Sequence, residues 1–343
     1  LGGVLPAGAQ ETYSLDELLD LGRERNPNLL SLRARREALH QDRRDAGRLE
    51  NPELELSAGE GDPFDGGETK TLKELGVRQV IENPLLRHYR LEALEHEVAS
   101  AGEDVRSGAL EVEYEIRLHY FRVLYLQERT RLARLNAEAL DEVRGLIETR
   151  ARVGEVRDLE AIRLRVEHMR ARNDLNAAEL ELSQFRQHLN MFLGKALHPD
   201  YVLEGELTAE FDLPALPRLQ EEILPGHPLL QQAARNREAA GQRLKGSRFG
   251  WLPSPVLSAR SAQELDGDIV KLGVGFHIPL WNQSRAAVAR DRETVRELQH
   301  REEDLRLELE AQLMIHHNHL LLHRQTLDLF REELLDEDET SMQ

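Results

Sequence analysis

Apolar side chains alternate with polar or small ones in four short stretches of this chain. In residues 268–280 (DIVKLGVGFHIPL) every second position from Val270 is apolar: Val270, Leu272, Val274, Phe276, Ile278 and Leu280. A period of two predicts a strand with one apolar face. Residues 53–61 repeat the pattern, with Leu54, Leu56 and Ala58 opposite Glu53, Glu55 and Ser57. A weaker version occupies about 71–81, where Leu75 and Val77 oppose Glu74 and Arg78, and a fourth strand is expected at about 255–262. Gly61 to Gly67, rich in turn residues, joins the first two. The chain thus offers two hairpins far apart in sequence. A lone two-stranded hairpin is barely stable. The hairpins are therefore expected to join each other, and other copies of the chain, to satisfy their edges.

Elsewhere the period is helical. Ser14, with Glu17 three residues on, predicts a capped first helix. A second helix is expected over 28–49, between Asn26-Pro27 and Asn51-Pro52. Residues 85–150 contain no proline, and Leu94, Val98, Ala101, Val105, Ala109, Val112, Ile116, Tyr120 and Val123 recur at spacings of three and four. That seam predicts one helix about 100 Å long with coiled-coil character. Val153-Gly154-Glu155 interrupts it, and a returning helix is expected over 158–193. Its seam is Leu175, Ala178, Leu182, Phe185, Leu189 and Phe192, with Gly194 as C-cap. The helices over 28–49 and 158–193, stacked end to end, would span about 87 Å beside the long one.

These elements occur twice. Asn26-Pro27 and His227-Pro228 each open a helix, and at that offset of 201 Arg36-Glu37-Ala38 falls on Arg237-Glu238-Ala239 and Ser57-Ala58 on Ser258-Ala259. Leu75-Gly76-Val77 then matches Leu272-Gly273-Val274 at an offset of 197, as a hairpin loop of different length would produce. The expected organisation is 1–10 as a signal remnant or disordered segment, 11–195 as the first repeat, 196–227 as a proline-marked connector, and 228–343 as a second, shortened repeat.

Composition narrows the class. A net charge of −18 argues against nucleic acid as a partner. The absence of cysteine removes disulfides and thiolate metal sites, and no apolar run reaches membrane-helix length. Leu1–Gln10 reads as the tail of a secretory signal, with Ala7-Gly8-Ala9 as a cleavage site, which fits a Gram-negative envelope protein.

On Asn26-Pro27, Asn51-Pro52-Glu53-Leu54, Leu75-Gly76-Val77 with Gln79, Arg152-Val153-Gly154-Glu155-Val156, His227-Pro228, and Phe276-His277-Ile278-Pro279-Leu280 before Arg285, the chain resembles the TolC-like outer-membrane efflux proteins. The resemblance covers about residues 14–335, and the compact N-terminal pattern looks most like the heavy-metal branch. It implies a mainly α fold with a β part, in which a long helical tunnel carries transmembrane barrel strands and trimerisation completes the barrel. It also implies a passive conduit rather than an enzyme, without cofactor, located in the outer membrane and extending into the periplasm. The implied partners are two further copies, a periplasmic adaptor, an inner-membrane transporter and outer-membrane lipid. The cargo would be metal ions or small toxic compounds.

By the same resemblance, Arg152, Val153, Gly154, Glu155, Val156, Arg157 and Asp158 form the periplasmic tip, where the adaptor docks and the tunnel closes. The plainer alternative is an ordinary helix-turn-helix linker with Gly154 present for its backbone freedom. Relative to the family pattern, the second repeat lacks its tip and returning helix, which reads as a fragment. His319 and His323 share a helix face and are the weak metal candidate, beside His316 and His317, but a solvated or tunnel-lining face is the better reading of that cluster. Glu111, Glu113 and Glu115 sit on a solvated helix rather than in a cleft that would shift their pKa values. The competing function is a soluble periplasmic coiled-coil scaffold or adaptor, which gives no reason for a strand with six apolar residues on one face.

Overall fold

The computed structural model describes residues 11–61, 68–153, 155, 157–207, 212–265, 267–281 and 283–341. The expected signal remnant at 1–10 and most of the turn at 61–67 lie outside them. The elements are β1 (Thr12–Tyr13), α1 (Leu15–Arg25), α2 (Pro27–Ala46), β2 (Glu53–Gly61), β3 (Lys70–Val80), α3 (Pro84–Arg152), α4 (Asp158–Phe192), β4 (Val202–Leu203), α5 (Leu216–Ile223), a 3-10 turn at Leu224–Gly226, α6 (Pro228–Ser247), β5 (Pro255–Glu264), β6 (Gly267–Phe276) and α7 (Arg285–Ser341). Their contacts gather into two compact units. One comprises residues 11–34 and 105–213, and the other 35–104 and 214–343.

The first unit is helical. Ser14 and Glu17 form the expected capping box: the Ser14 N–H donates to the Glu17 carboxylate at 2.8 Å, and the Glu17 N–H donates to Ser14 Oγ at 3.4 Å. Helix α1 presses Leu18, Leu19 and Gly22 against Val112, Ile116 and Tyr120 of α3, and Leu182, Leu189 and Leu193 at the end of α4 join the same core. The predicted seams are the buried faces of both helices. Tyr201 is fully buried there, donating to the Arg186 carbonyl at 3.1 Å and meeting Tyr13 edge-on at 6.3 Å. Burial pushes its phenol pKa up. A short parallel pair, Thr12↔Val202 and Tyr13↔Leu203, closes the core.

The second unit holds the sheet. Its order is β2-β3-β5-β6, antiparallel throughout, so the two distant hairpins join through β3 and β5. Beneath it, Tyr89 of α3 stacks on Phe249 at 5.7 Å, and Arg237 of α6 pairs with Glu302 of α7 at 2.8 Å.

Several boundaries differ from the sequence reading. Strand β6 ends at Phe276, not residue 280, because its partner β5 begins at Pro255, opposite Phe276. Ile278 and Leu280 therefore lie beyond the ladder, and Pro279 could not have donated to it. Strand β5 runs to Glu264 rather than 262, paired with Gly267. Strand β3 spans 70–80, since the Ile81 N–H donates to the Pro255 carbonyl outside the ladder. Helix α2 stops at Ala46 instead of 49, with the Gly47 N–H bonding to the Arg43 and Arg44 carbonyls. Helix α3 starts one residue early because Pro84 needs no donor in the first turn and Asn83 Oδ1 accepts the Leu85 N–H at 2.9 Å. Both α2 and α6 have 20 residues, and their starts, like those of α3 and α7, are 201 apart. The slip of four is confined to the hairpins.

Candidate functional site

Paired residues in an antiparallel sheet share a face. The register therefore assembles rows across all four strands. One row is Leu54, Val77, Ala259 and Leu272; the next is Leu56, Leu75, Ser261 and Val270. Leu257 and Val274 extend the apolar face on one side of these rows. On the other it ends in Lys73, Gln263 and Asp268. These apolar side chains are exposed: Leu56 is 73% and Leu272 83% accessible. In water such a continuous patch is a liability.

The opposite face is ionic. Arg260 reaches Glu74 at 2.5 Å and Glu55 at 3.9 Å, Arg78 lies 3.6 Å from Glu53, and Lys271 meets Glu264 at 2.9 Å. Glu53, Glu55 and Glu74 of the first hairpin are thus matched by two cations, one of them from the second hairpin. Each half-exposed pair adds little stability, roughly 0–1 kcal/mol. Their effect is to make one face polar while the other stays apolar. This two-sidedness suits a strand between lipid and water.

At the far end of α3, the chain turns. Arg152 is the last helical residue, its guanidinium 3.4 Å from both the Glu148 carbonyl and Thr149 Oγ1. Val153 is 68% exposed. The Glu155 N–H donates to the Arg150 carbonyl at 3.0 Å, Arg157 takes the extended N-cap conformation, and Asp158 opens α4. Gly154 and Val156 lie outside the described residues. Behind the turn, Glu148 pairs with Arg165 at 3.6 Å, and His168 Nε2 of α4 lies 3.1 Å from the Asp141 carboxylate of α3. The Arg144 hydrogen bond holds the Asp141 carboxyl below its usual range. Val143, Leu146, Leu159 and Ile162 are exposed on these helices close to the turn, so the tip region offers apolar surface as well as charge.

His319 and His323 are both exposed on α7, and His317 Nε2 stands 3.1 Å from the Pro214 carbonyl. Among the described residues no three His, Cys, Asp or Glu side chains gather as a metal site. No described helix is long and apolar enough to cross a membrane. Sequence reasoning found the apolar alternation but missed Arg260, the cation that joins the two hairpins on the ionic face. The partial alternation of 255–262 gave no register from which to place it.

Several solved outer-membrane channels share this architecture. The CmeC outer membrane channel of Campylobacter jejuni superposes with a TM-score of 0.73 at 15% identity, over 92% of this chain and 73% of that one. The chain has the TolC-like outer-membrane channel fold. OprN, an outer-membrane channel, matches this chain with a TM-score of 0.69 at 17% identity, over 93% of this chain and 76% of its own. CusC, whose structures concern transmembrane channel formation, matches with a TM-score of 0.67 at 16% identity over 92% and 76%. In sequence, this chain is 27% identical over 189 residues to the pyoverdine export outer membrane protein OpmQ of Pseudomonas aeruginosa. That match covers 52% of this chain and 39% of the relative, so the chain spans about two fifths of the curated protein it matches. No protein-family model matches. The matched proteins are channels and an export protein, not enzymes.

Proposed function

We propose that this chain is the outer-membrane channel component of a tripartite efflux pump, a passive conduit built from three copies. The observation that carries the reading is the two-faced sheet, with Leu54, Val77, Ala259 and Leu272 on one face and Arg260, Glu74 and Glu55 on the other. Lipid is the one surrounding in which the first face is satisfied without a protein cover, and a water-filled lumen satisfies the second. Strands β2 and β6 are open edges in the single chain. A spanning sheet must close on itself in hydrocarbon, and further copies supply the closure. Each of the two repeats gives one hairpin to that barrel and helices to a periplasmic tunnel. This placement makes the protein an outer-membrane component extending into the periplasm.

The turn from Arg152 to Asp158 is the docking tip for a periplasmic adaptor, which in turn engages an inner-membrane transporter. Exposed Val153 and the apolar residues behind it support this role. The cargo class is metal ions or small toxic compounds. An excess of carboxylate favours cations by long-range field. Heavy-metal export is the finer reading.

Two measurements test the proposal. Membrane fractionation of cells making the chain should place it with outer-membrane proteins and release it with detergent alone; recovery in the soluble fraction would establish the scaffold reading instead. Crosslinking from the tip to the adaptor should disappear in Val153→Asp, and unchanged crosslinking would remove the docking assignment.

A further inference from the structure

The chain carries 63 acidic residues among its 343. Against that background two stretches stand out. Residues 239–263 and 269–290 contain no Asp or Glu at all, yet hold Arg243, Lys245, Arg248, Arg260, Lys271, Arg285 and Arg290. They are the two flanks and strands of the second hairpin. The corresponding part of the first repeat is strongly acidic, with Glu50, Glu53, Glu55 and Glu82.

The fold brings the bases of these stretches together. A Cβ on Gly250 would lie 2.5 Å from Ser284 Oγ, so the turn between α6 and β5 packs directly on the link between β6 and α7. Arg248 and Trp251 flank one side of that contact; Trp281 and Arg285 flank the other. At 3.8 Å per residue, none of their Cα atoms is more than about 11 Å along the chain from it. This cluster sits at the end of the ladder, where Pro255 pairs with Phe276. Both guanidinium groups are exposed, and neither has an ion-pair or hydrogen-bond partner among the described residues. Trp281 is 93% and Trp251 54% accessible, and Ile278 and Leu280 beside them are also exposed.

We infer that this collar binds the phosphate headgroup of an anionic phospholipid, on the leaflet next to the helices. The inference rests on the membrane reading of the sheet. Exposed tryptophans mixed with cations just past an apolar belt have the composition of a membrane-water interface. The indoles lie at headgroup depth, and the two guanidinium forks take phosphate oxygens in charge-assisted hydrogen bonds. Neither stretch holds an acid of its own to compete for those forks, and Glu82, next to the Asn83–Ser254 contact, is paired with Arg90. Zwitterionic lipid would leave the excess positive charge unmatched, whereas phosphatidylglycerol neutralises it.

Trp251 and Trp281 are the two tryptophans of the chain, so intrinsic fluorescence reports on this collar directly. The full chain is reconstituted into vesicles of phosphatidylcholine and phosphatidylglycerol in which either one or the other lipid carries brominated acyl chains. Brominated phosphatidylglycerol should quench more than its bulk fraction predicts, with a relative affinity over phosphatidylcholine on the order of fivefold for each arginine engaged. The preference should shrink in high salt. In Arg248→Gln with Arg285→Gln it should fall to about one, while Arg248→Lys with Arg285→Lys, which keeps the charge but loses the fork, retains only part of it. Equal quenching by the two lipids in the unaltered chain overturns the headgroup site but leaves the membrane reading intact. Quenching by neither lipid overturns both. A preference that survives the double glutamine variant overturns the assignment to these arginines.

Discussion

Asn26 ties the start of one helix to the end of another. Its Nδ2 donates to the Phe192 carbonyl at 2.9 Å, and its Oδ1 accepts the Leu29 N–H at 3.1 Å. The side chain is 4% exposed, so both ends of the amide are matched inside the protein. Asn26→Ala leaves a helix N–H and a C-terminal carbonyl without partners. A loss of about 2–3 kcal/mol is expected, read as a lower urea midpoint at unchanged slope. The equivalent His227 makes no side-chain cap bond, so His227→Ala should cost less.

Gly22 and Ile116 meet at the crossing of α1 and α3. A Cβ at Gly22 would overlap the Ile116 Cδ1 methyl, and both residues are buried. Gly22→Ala gains helix propensity but overpacks the core, with a net loss of about 1–3 kcal/mol expected. Adding Ile116→Val removes the clashing methyl and should recover part of that loss. Thermal melts of the two single variants and the pair measure the coupling.

The two faces of the sheet predict opposite tolerance to charge. Leu272→Arg places a cation on the apolar face and should cost about 2–4 kcal/mol if that position lies near the bilayer midplane. Ser258→Arg, on the ionic face opposite Gly273, should insert normally. Resistance of the assembled oligomer to dissociation in detergent distinguishes the two variants. Equal behaviour would contradict the assignment of faces.

Acid should weaken the helical unit through His119. Burial lowers its pKa from 6.5 against a partial opposing effect of Glu115, and Nδ1 is buried without a hydrogen-bond partner. Above that value the residue is neutral whether folded or not. As pH falls through it, the unfolded chain takes the proton first, so stability declines until pH passes the folded pKa. Its contribution is therefore complete above about pH 6.5 and drops as the solution becomes more acidic. His119→Phe, packed between Phe185 and Phe192, should flatten that part of the stability profile measured by urea titration at several pH values.

The elements most visible in the sequence were those with long, regular periods. The seam through Val112, Ile116 and Tyr120 and the alternation through Val270, Leu272 and Val274 needed no tertiary information. Strand ends were harder. Where β6 stops depends on Pro255 of another strand, and no local pattern in 268–280 contains that fact. Arg260 was hidden for the same reason, because its partners Glu74 and Glu55 lie in the first hairpin, far away in sequence. The collar of Arg248, Trp251, Trp281 and Arg285 appears only when the Gly250–Ser284 contact is known. The proposed docking tip was nameable from resemblance alone, since a turn with exposed Val153 carries no chemical signature of its own.

The open edges of β2 and β6 bear on supply as well as architecture. A chain whose spanning sheet needs neighbours on both sides has no stable state alone in hydrocarbon. Its survival then depends on copy number per membrane area, as for any obligate oligomer whose folding and association are one equilibrium. Below a threshold rate of synthesis, lone subunits would wait with the backbone of β2 and β6 unpaired. Above it, each completed ring withdraws subunits from that pool. On the proposed function, the number of complete rings in a cell would therefore rise more steeply than the amount of this chain produced.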